Sequence, residues 1–228
     1  MGRAGRTWHT PPHAALTVSV LLRPEVPDDA LGWLPLLSGL AVVRVLRARG
    51  VPASLKWPND VVLPAAEELD GFGRWRKVAG ILAQVVPDGV VVGVGLNVTQ
   101  AADELPVPSA TSLALAAAPA AATDRTTLLA ALLGELTAVV ERWCGDDGDA
   151  DAPGPGGAPS LADEYAAVSA TLGTPVRAEL AGGACIVEGT AHRLAPDGAL
   201  VVVRKDGSVR VVAAGDVHHV RRAGRAQG

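Results

Sequence analysis

The sequence predicts an α+β fold: a mixed or antiparallel sheet packed by helices, followed by a small all-β domain. Three observations predict it. Apolar, β-branched runs at Thr17–Leu22, Val51–Leu55, Val61–Leu63, Val78–Val86 and Val90–Val98 alternate with turn-forming residues, the pattern of a strand meander. Two stretches, about 28–49 and 124–143, repeat Leu, Val and Ala at helical spacing. From Thr174 onward the chain breaks into short strand-length runs separated by Gly-containing turns.

Composition bounds the rest. The 228 residues suffice for one large domain, or for a domain with a small companion. Hydrophobic residues make up 49% and aromatics only 3%, so the expected core is built from Ala, Val and Leu. The net charge of -4 argues against non-specific nucleic-acid binding. No apolar run is expected to approach the length of a membrane span, and no signal peptide is expected at the start of the chain. Cys144 and Cys185 form neither a disulfide framework nor a metal spacing. The expectation is a soluble cytoplasmic protein.

The elements follow in order. Residues 1–13 hold Arg3, Arg6, His9 and His13 among glycines. They read either as a frayed terminus or as a loop whose Gly2 and Gly5 let the backbone approach a phosphate while the Arg forks grip it. Asp28 or Asp29 can cap a helix running to about residue 49, with Pro35 tolerable only in its first turn. Arg44, Arg47 and Arg49 read as its solvated face. Pro64 to Arg76 is a hairpin loop somewhat longer than usual. Gly93-Val94-Gly95 is not a dinucleotide fingerprint, because no third Gly and no helix follow. Thr111-Ser112-Leu113 begins a short helical stretch, and Asp124 or Thr123 caps an amphipathic helix to about Trp143. Gly145 to Pro159 is acidic and rich in Gly and Pro, so disorder is expected there. Its acidic residues lack the spacing of a calcium loop. Ser160 caps a further helix to about Leu172, with Asp163 at the capping-box position. The strands after Thr174 suggest a small barrel of the Src-homology-3-like kind. His218 and His219 at its end face opposite ways on a strand and so make no metal site.

The chemistry concentrates in Val51-Pro-Ala-Ser-Leu-Lys-Trp-Pro-Asn-Asp-Val-Val-Leu63. Pro removes a backbone donor, and Asn and Asp bond their own backbone in turns, so this stretch reads as strand, tight bend, strand. Lys56 is thereby fixed at a strand end, where an ammonium suits a phosphate or carboxylate. An ordinary hairpin with an exposed Lys fits the same residues equally well.

The wording of four stretches goes further. Lys56-Trp57-Pro58-Asn59-Asp60 resembles the signature of the biotin protein ligases. Gly2-Arg3-Ala4-Gly5-Arg6-Thr7-Trp8 resembles the second half of that family's Gly-Arg-rich ligand loop. Lys77 to Leu82 and Val92 to Val98 resemble the two strands that follow the central Lys. The likeness spans about residues 2 to 222. It implies a class II synthetase-like catalytic domain over 1–173, a barrel over 174–222 and a tail over 223–228.

The resemblance also implies a reaction. Biotin's carboxylate attacks the α-phosphate of ATP to give biotinyl-5′-AMP, and a Lys of a biotin carboxyl carrier domain of an acyl-CoA carboxylase then takes the biotinyl group. The catalytic residues it implies are Lys56 and Arg3. Lys56 bridges the biotin carboxylate and the α-phosphate, and Arg3 and Arg6 cover the phosphates, with Mg²⁺ on the pyrophosphate oxygens and no metal ligands from the protein. Trp8 lies against a ring of the adenylate. Gly2, Asn59, Gly80, Ile81 and Gly95 line biotin or the adenylate, and Asn97 places an amide near the adenine. No membrane or nucleic acid is implied as a partner, and a sheet edge left bare by the missing opening strands would invite pairing of two copies as a homodimer. In the family the ligand loop lies well inside the catalytic domain, so the sequence resembles a ligase lacking its opening portion. Two alternatives stand beside the ligase: a non-catalytic remnant that binds adenylate or carrier weakly, and a lipoate-ligase-like acyl-adenylating enzyme.

Overall fold

The structure is a computed structural model in which residues 10–180, 185–213 and 216–219 are described. Five antiparallel strands form the main sheet: β1 (Ala15–Leu22), β2 (Ser54–Lys56), β3 (Asp60–Leu69), β4 (Gly73–Val86) and β5 (Gly89–Asn97). Their spatial order is β1-β5-β4-β3-β2. The expected meander is β3–β4–β5, and β1 joins it on the outer side of β5, from Ala15↔Asn97 to Leu22↔Val90. Alternation sets the two faces: Val90, Val92 and Val94 are buried, with Val91 and Gly93 between them less so.

One face is covered by α1 (Leu34–Arg47), entered through a 3-10 turn at Asp28–Trp33. The expected single helix from residue 28 is thus divided. Pro35 falls in the first turn of α1, where its missing N–H is not needed. The helix is buried on nearly all sides, because α2 (Arg125–Gly145) and α3 (Leu161–Ala167) cover its back. It lies close to the sheet: a Cβ added at Gly39 would fall 2.8 Å from Leu55 Cδ2. Contrary to expectation, Asp28–Arg47 is a 20-residue stretch long and apolar enough to cross a bilayer, with a mean hydropathy of 1.5. Its burial, 72%, makes it the core helix of this fold.

Further expectations are corrected. Arg44 is not merely solvated: it pairs with Glu135 at 3.4 Å and with Glu164, which also accepts from Arg142 Nη1 at 2.7 Å. The helices are thus tied by one shared carboxylate. Residues 145–159 are folded and not disordered. Positive φ at Asp147, Gly148, Gly156 and Gly157 lets the chain turn tightly, and Trp143 Nε1 donates to Gly148 O at 2.7 Å. The bland composition hides a segment that closes the end of α2 over Ala30 and Val26. The helical stretch expected from Thr111 is a single turn from Ser112, whose O accepts from Ala116 N at 3.0 Å and whose Oγ accepts from Leu115 N at 3.1 Å, while Thr111 N donates to Lys77 O beside β4. Helix α3 has the expected Ser160–Asp163 capping box but stops at Ala167, because Val168 and Ala170 bond the edge of β2 at Leu55. The core also relies on aromatics more than their 3% suggests. Trp33, Trp57, Trp143 and Tyr165 are its largest fully buried side chains, and Trp33 meets Tyr165 edge-on at 6.3 Å.

The C-terminal strands β6 (Pro175–Leu180), β7 (Cys185–Leu194), β8 (Leu200–Val203), β9 (Val209–Val212) and β10 (Asp216–His219) form a second antiparallel sheet. Its order is β10-β6-β7-β8-β9. The fold is therefore α+β, with antiparallel sheets packed by helices and a small C-terminal sheet of the Src-homology-3-like kind.

The Glu164 node gives a stability test. Burial raises the Glu164 carboxyl, but the hydrogen bonds from Arg44 and Arg142 outweigh it, so its pKa lies below the ordinary value. A lowered pKa means that its contribution is present above the unfolded value and lost as pH falls through the folded one. Glu164→Gln should cost about 1–2 kcal/mol in urea unfolding at pH 7, the carboxylate being partly exposed. The gap should narrow steadily as the pH falls below the ordinary Glu range.

Candidate functional site

Strand register assembles the site. Lys56 lies opposite Asp60, Asp60 opposite Gly80, Gly80 opposite Gly95, and Gly95 opposite Thr17. Residues directly opposite on antiparallel strands share a face, so this row crosses all five strands on one side. Leu55 and Ile81, one position along, point the other way, toward Gly39 of α1. The face of the row is thus the one away from α1. Gly80 and Gly95 contribute no side chains, which leaves a trough between Asp60, next to Lys56, and the exposed Thr17.

Lys56 is 6% exposed. Its Nζ donates to Val217 O of β10 at 2.5 Å and lies 4.8 Å from the centre of the Phe72 ring. The last strand of the small sheet and the β3–β4 hairpin therefore both reach the strand-end ammonium. The bend after Lys56 contains a cis Trp57–Pro58 peptide bond.

Neighbouring side chains hold this arrangement. Asn59 bonds Ile81 twice, its O accepting from Ile81 N at 2.9 Å and its Nδ2 donating to Ile81 O at 2.8 Å. Both backbone polar groups of Ile81 are thus committed to Asn59, and its side chain is buried toward α1. Asp60 pairs with Lys77 at 2.5 Å. A bulge opposite Val61/Val62 turns Lys77 toward it. Asn97 donates to Thr111 O and accepts from Gln100 Nε2, both at 2.9 Å, so its amide also anchors the loop after β5. Asp60 further raises the pKa of the fully buried Tyr165, after burial itself.

The two sheets are locked beside the site. Trp57 N donates to Thr171 Oγ1 and Trp57 Nε1 to Gly198 O, each at 3.1 Å, while Trp33 Nε1 donates to Pro196 O at 2.8 Å. The β7–β8 turn sits so tightly on Gly32 that an added Cβ there would lie 2.2 Å from Asp197 O. A cavity of about 230 Å³ opens along this seam between Pro35, Leu36, Pro58 and Gly198. Asn59 and Ile81 are among its walls, whereas Lys56, Gly80 and Gly95 are not, so it lies beside the row and not on it.

Of the residues expected to form a site, Lys56, Gly80 and Gly95 are brought into one row, with Asn59 and Ile81 bracing it and Asn97 two residues beyond Gly95. Gly2, Arg3, Arg6 and Trp8 lie outside the described residues. Among the described residues no three His, Cys, Asp or Glu converge as a metal site. A buried ammonium beside a trough floored by glycines, with the neighbouring Asp60 carboxylate held by Lys77, can hold an anionic head while a flat body lies over the glycines.

Comparisons with known proteins point the same way. Residues 1–99 match the Biotin/lipoate A/B protein ligase family, and residues 171–220 match the Biotin protein ligase C terminal domain. The biotin–[acetyl-CoA-carboxylase] ligase of Mycobacterium tuberculosis is 41% identical over 96% of this chain and 75% of its own length. The chain belongs to the biotin protein ligase family. Among solved structures, a biotin protein ligase from Aquifex aeolicus in complex with biotin and ATP superposes with a TM-score of 0.72. It is 25% identical, with 97% of this chain and 84% of that one covered. The bifunctional ligase/repressor BirA of Escherichia coli is 34% identical, over 61% of this chain and 42% of its own.

Reading the sequence of this family member missed three things. Phe72 and Val217 are far from Lys56 in sequence and carry no motif, so nothing in their spacing marks them. The Lys56–Asp60–Gly80–Gly95 row could have been found by pairing the strands around the Pro58 bend. Gly32 tests the lock between the sheets. Gly32→Ala should cost about 1–3 kcal/mol in urea unfolding. It should also speed protease cleavage in the turn around Asp197.

Proposed function

We propose that this protein activates biotin with ATP and transfers it to a lysine of a carrier domain. The observation that carries the reading is the cross-strand row, with Lys56 at its end and Gly80 and Gly95 as its floor, in a chain 41% identical to a biotin–[acetyl-CoA-carboxylase] ligase. The match of residues 171–220 to the biotin ligase C-terminal domain favours biotin over lipoate.

In the first step a biotin carboxylate oxygen attacks the α-phosphorus of ATP, forming the mixed anhydride biotinyl-5′-AMP and releasing pyrophosphate. Lys56 draws the two anions together and offsets the charge that builds on the α-phosphate oxygens. In the second step the neutral amine of a carrier lysine attacks the acyl carbon. The amide forms, the proton leaves, and AMP departs with the anhydride oxygen. No covalent enzyme intermediate is needed, which suits a site built around an ammonium and backbone. Gly2, Arg3, Arg6 and Trp8 are assigned to the phosphates and a ring of the adenylate on the strength of their motif. Mg²⁺ is assigned to the pyrophosphate oxygens.

The reading extends to context. The carrier is a biotin carboxyl carrier domain of an acyl-CoA carboxylase. The N-terminal domain, 1–173, carries the chemistry, and 174–222 is the barrel that closes on it. The outer edge of β1 has no strand partner among the described residues, which supports pairing of two copies there as a homodimer. The free thiols of Cys144 and Cys185 suit a reducing cytoplasm.

Biotin-dependent exchange of labelled pyrophosphate into ATP tests the first step without the carrier. The chain should catalyse it, and Lys56→Ala should slow it by roughly 10²–10³-fold while far-ultraviolet circular dichroism is retained. Equal exchange in the two proteins would refute the role given to Lys56.

A further inference from the structure

The β3–β4 hairpin is longer than a connection between paired strands needs, and the reading above leaves its tip without a task. Pairing runs regularly to Pro64↔Trp75, then jumps to Leu69↔Gly73, so that residues 65–68 oppose the single Arg74. Such an excess on one strand bends a hairpin sharply. The tip itself is tight: Phe72 N donates to Leu69 O at 3.1 Å, and Gly71 and Gly73 take φ of +73° and +57°. At Gly73 an added Cβ would meet nothing within 4 Å, so its positive φ, and not lack of space, is what calls for Gly. The outcome is that Phe72, the one Phe of the chain, points back at the site, with its ring centre 4.8 Å from Lys56 Nζ. The residues around it, Glu67, Glu68, Asp70 and Arg74, are exposed.

We propose that Phe72, at the folded-back tip of the β3–β4 hairpin, is the lid residue of the ligand trough, lying on the Lys56 ammonium and closing the acyl-adenylate off from water. The inference rests on the ligase reading and deepens it. An acyl-adenylate is destroyed when water attacks the acyl carbon, the bond to the phosphate oxygen breaks, and free acid and AMP leave with a proton. Keeping that water out needs an apolar surface beside the charged groups. An aromatic ring supplies it without repelling the ammonium, because its face attracts a cation. The glycines on either side let the tip lift for substrate to enter.

Two measurements on the full chain test this. With ATP, biotin and a biotin carboxyl carrier domain, AMP released per biotin transferred should rise at least five-fold in Phe72→Ala and stay near native in Phe72→Tyr, which keeps the ring. The second does not depend on activity. The chain has three lysines, Lys56, Lys77 and Lys205. Acetylation by acetic anhydride, followed by mass spectrometry, should label Lys56 at least five-fold faster in Phe72→Ala than in the native chain or Phe72→Tyr, with Lys77 and Lys205 unchanged. An unchanged AMP ratio, or equal labelling of Lys56 in all three proteins, would overturn the lid. So would faster labelling of all three lysines, which marks a general loosening. Should the native chain show no ligase activity while Lys56 labelling still follows the ring, the ligase reading fails and the cover over Lys56 stands.

Discussion

The relative register of β2, β3, β4, β5 and β1 governs the site, because side chains alternate between faces with a period of two. A slip of one residue between β3 and β4 would swing Gly80 toward α1 and set Ala79 or Ile81 on the floor of the trough. Three features hold the register. Leu55, Val61, Ile81 and Val94 are buried on the α1 face and cannot turn outward without exposing apolar surface. The paired bonds between Asn59 and Ile81 clamp the two strands just past the row. The Asp60–Lys77 ion pair fixes them again beyond the bulge. The motif Lys56-Trp57-Pro58-Asn59-Asp60 thus supplies a strand end, a buried anchor, a bend, a clamp and an ion-pair partner in consecutive residues.

The same motif joins the two sheets. Trp57 points away from Lys56 and donates to the β7–β8 turn, while Lys56 donates to β10. The small C-terminal sheet is therefore held at the β7–β8 turn and at β10 by two adjacent residues.

Much of this was legible in the sequence where local rules govern. The Val alternation of β5, the caps at Asp124 and Ser160 and the bend at Pro58 are set by neighbouring residues and appear where the sequence places them. What was not legible depends on distant partners. Residues 145–159 looked too polar to fold, yet their glycines reach conformations that dock Gly148 against Ala30 and Val26. Arg44 looked solvated because Glu135 and Glu164 are remote in sequence. In the site, the glycine floor and Lys56 came from motif wording, whereas Phe72 arrives by a bend of the hairpin that no motif encodes. Asn97 also bonds the loop at Thr111 and Gln100, a contact that only the path of residues 98–113 makes possible.

The central claim is that the trough over Gly80 and Gly95, closed at one end by Lys56, is where the acyl-adenylate forms. A crystal structure of the chain with biotinyl-5′-AMP, or with a non-hydrolysable analogue of it, tests this most directly. The account predicts the ligand's flat body over the two glycines, on the face away from α1. It also predicts Lys56 Nζ within hydrogen-bond reach of the acyl or phosphate oxygens and no longer bound to Val217 O alone. A ligand seated in the crevice lined by Leu36 and Pro58, or a Lys56 without contact to the acyl phosphate, would contradict it.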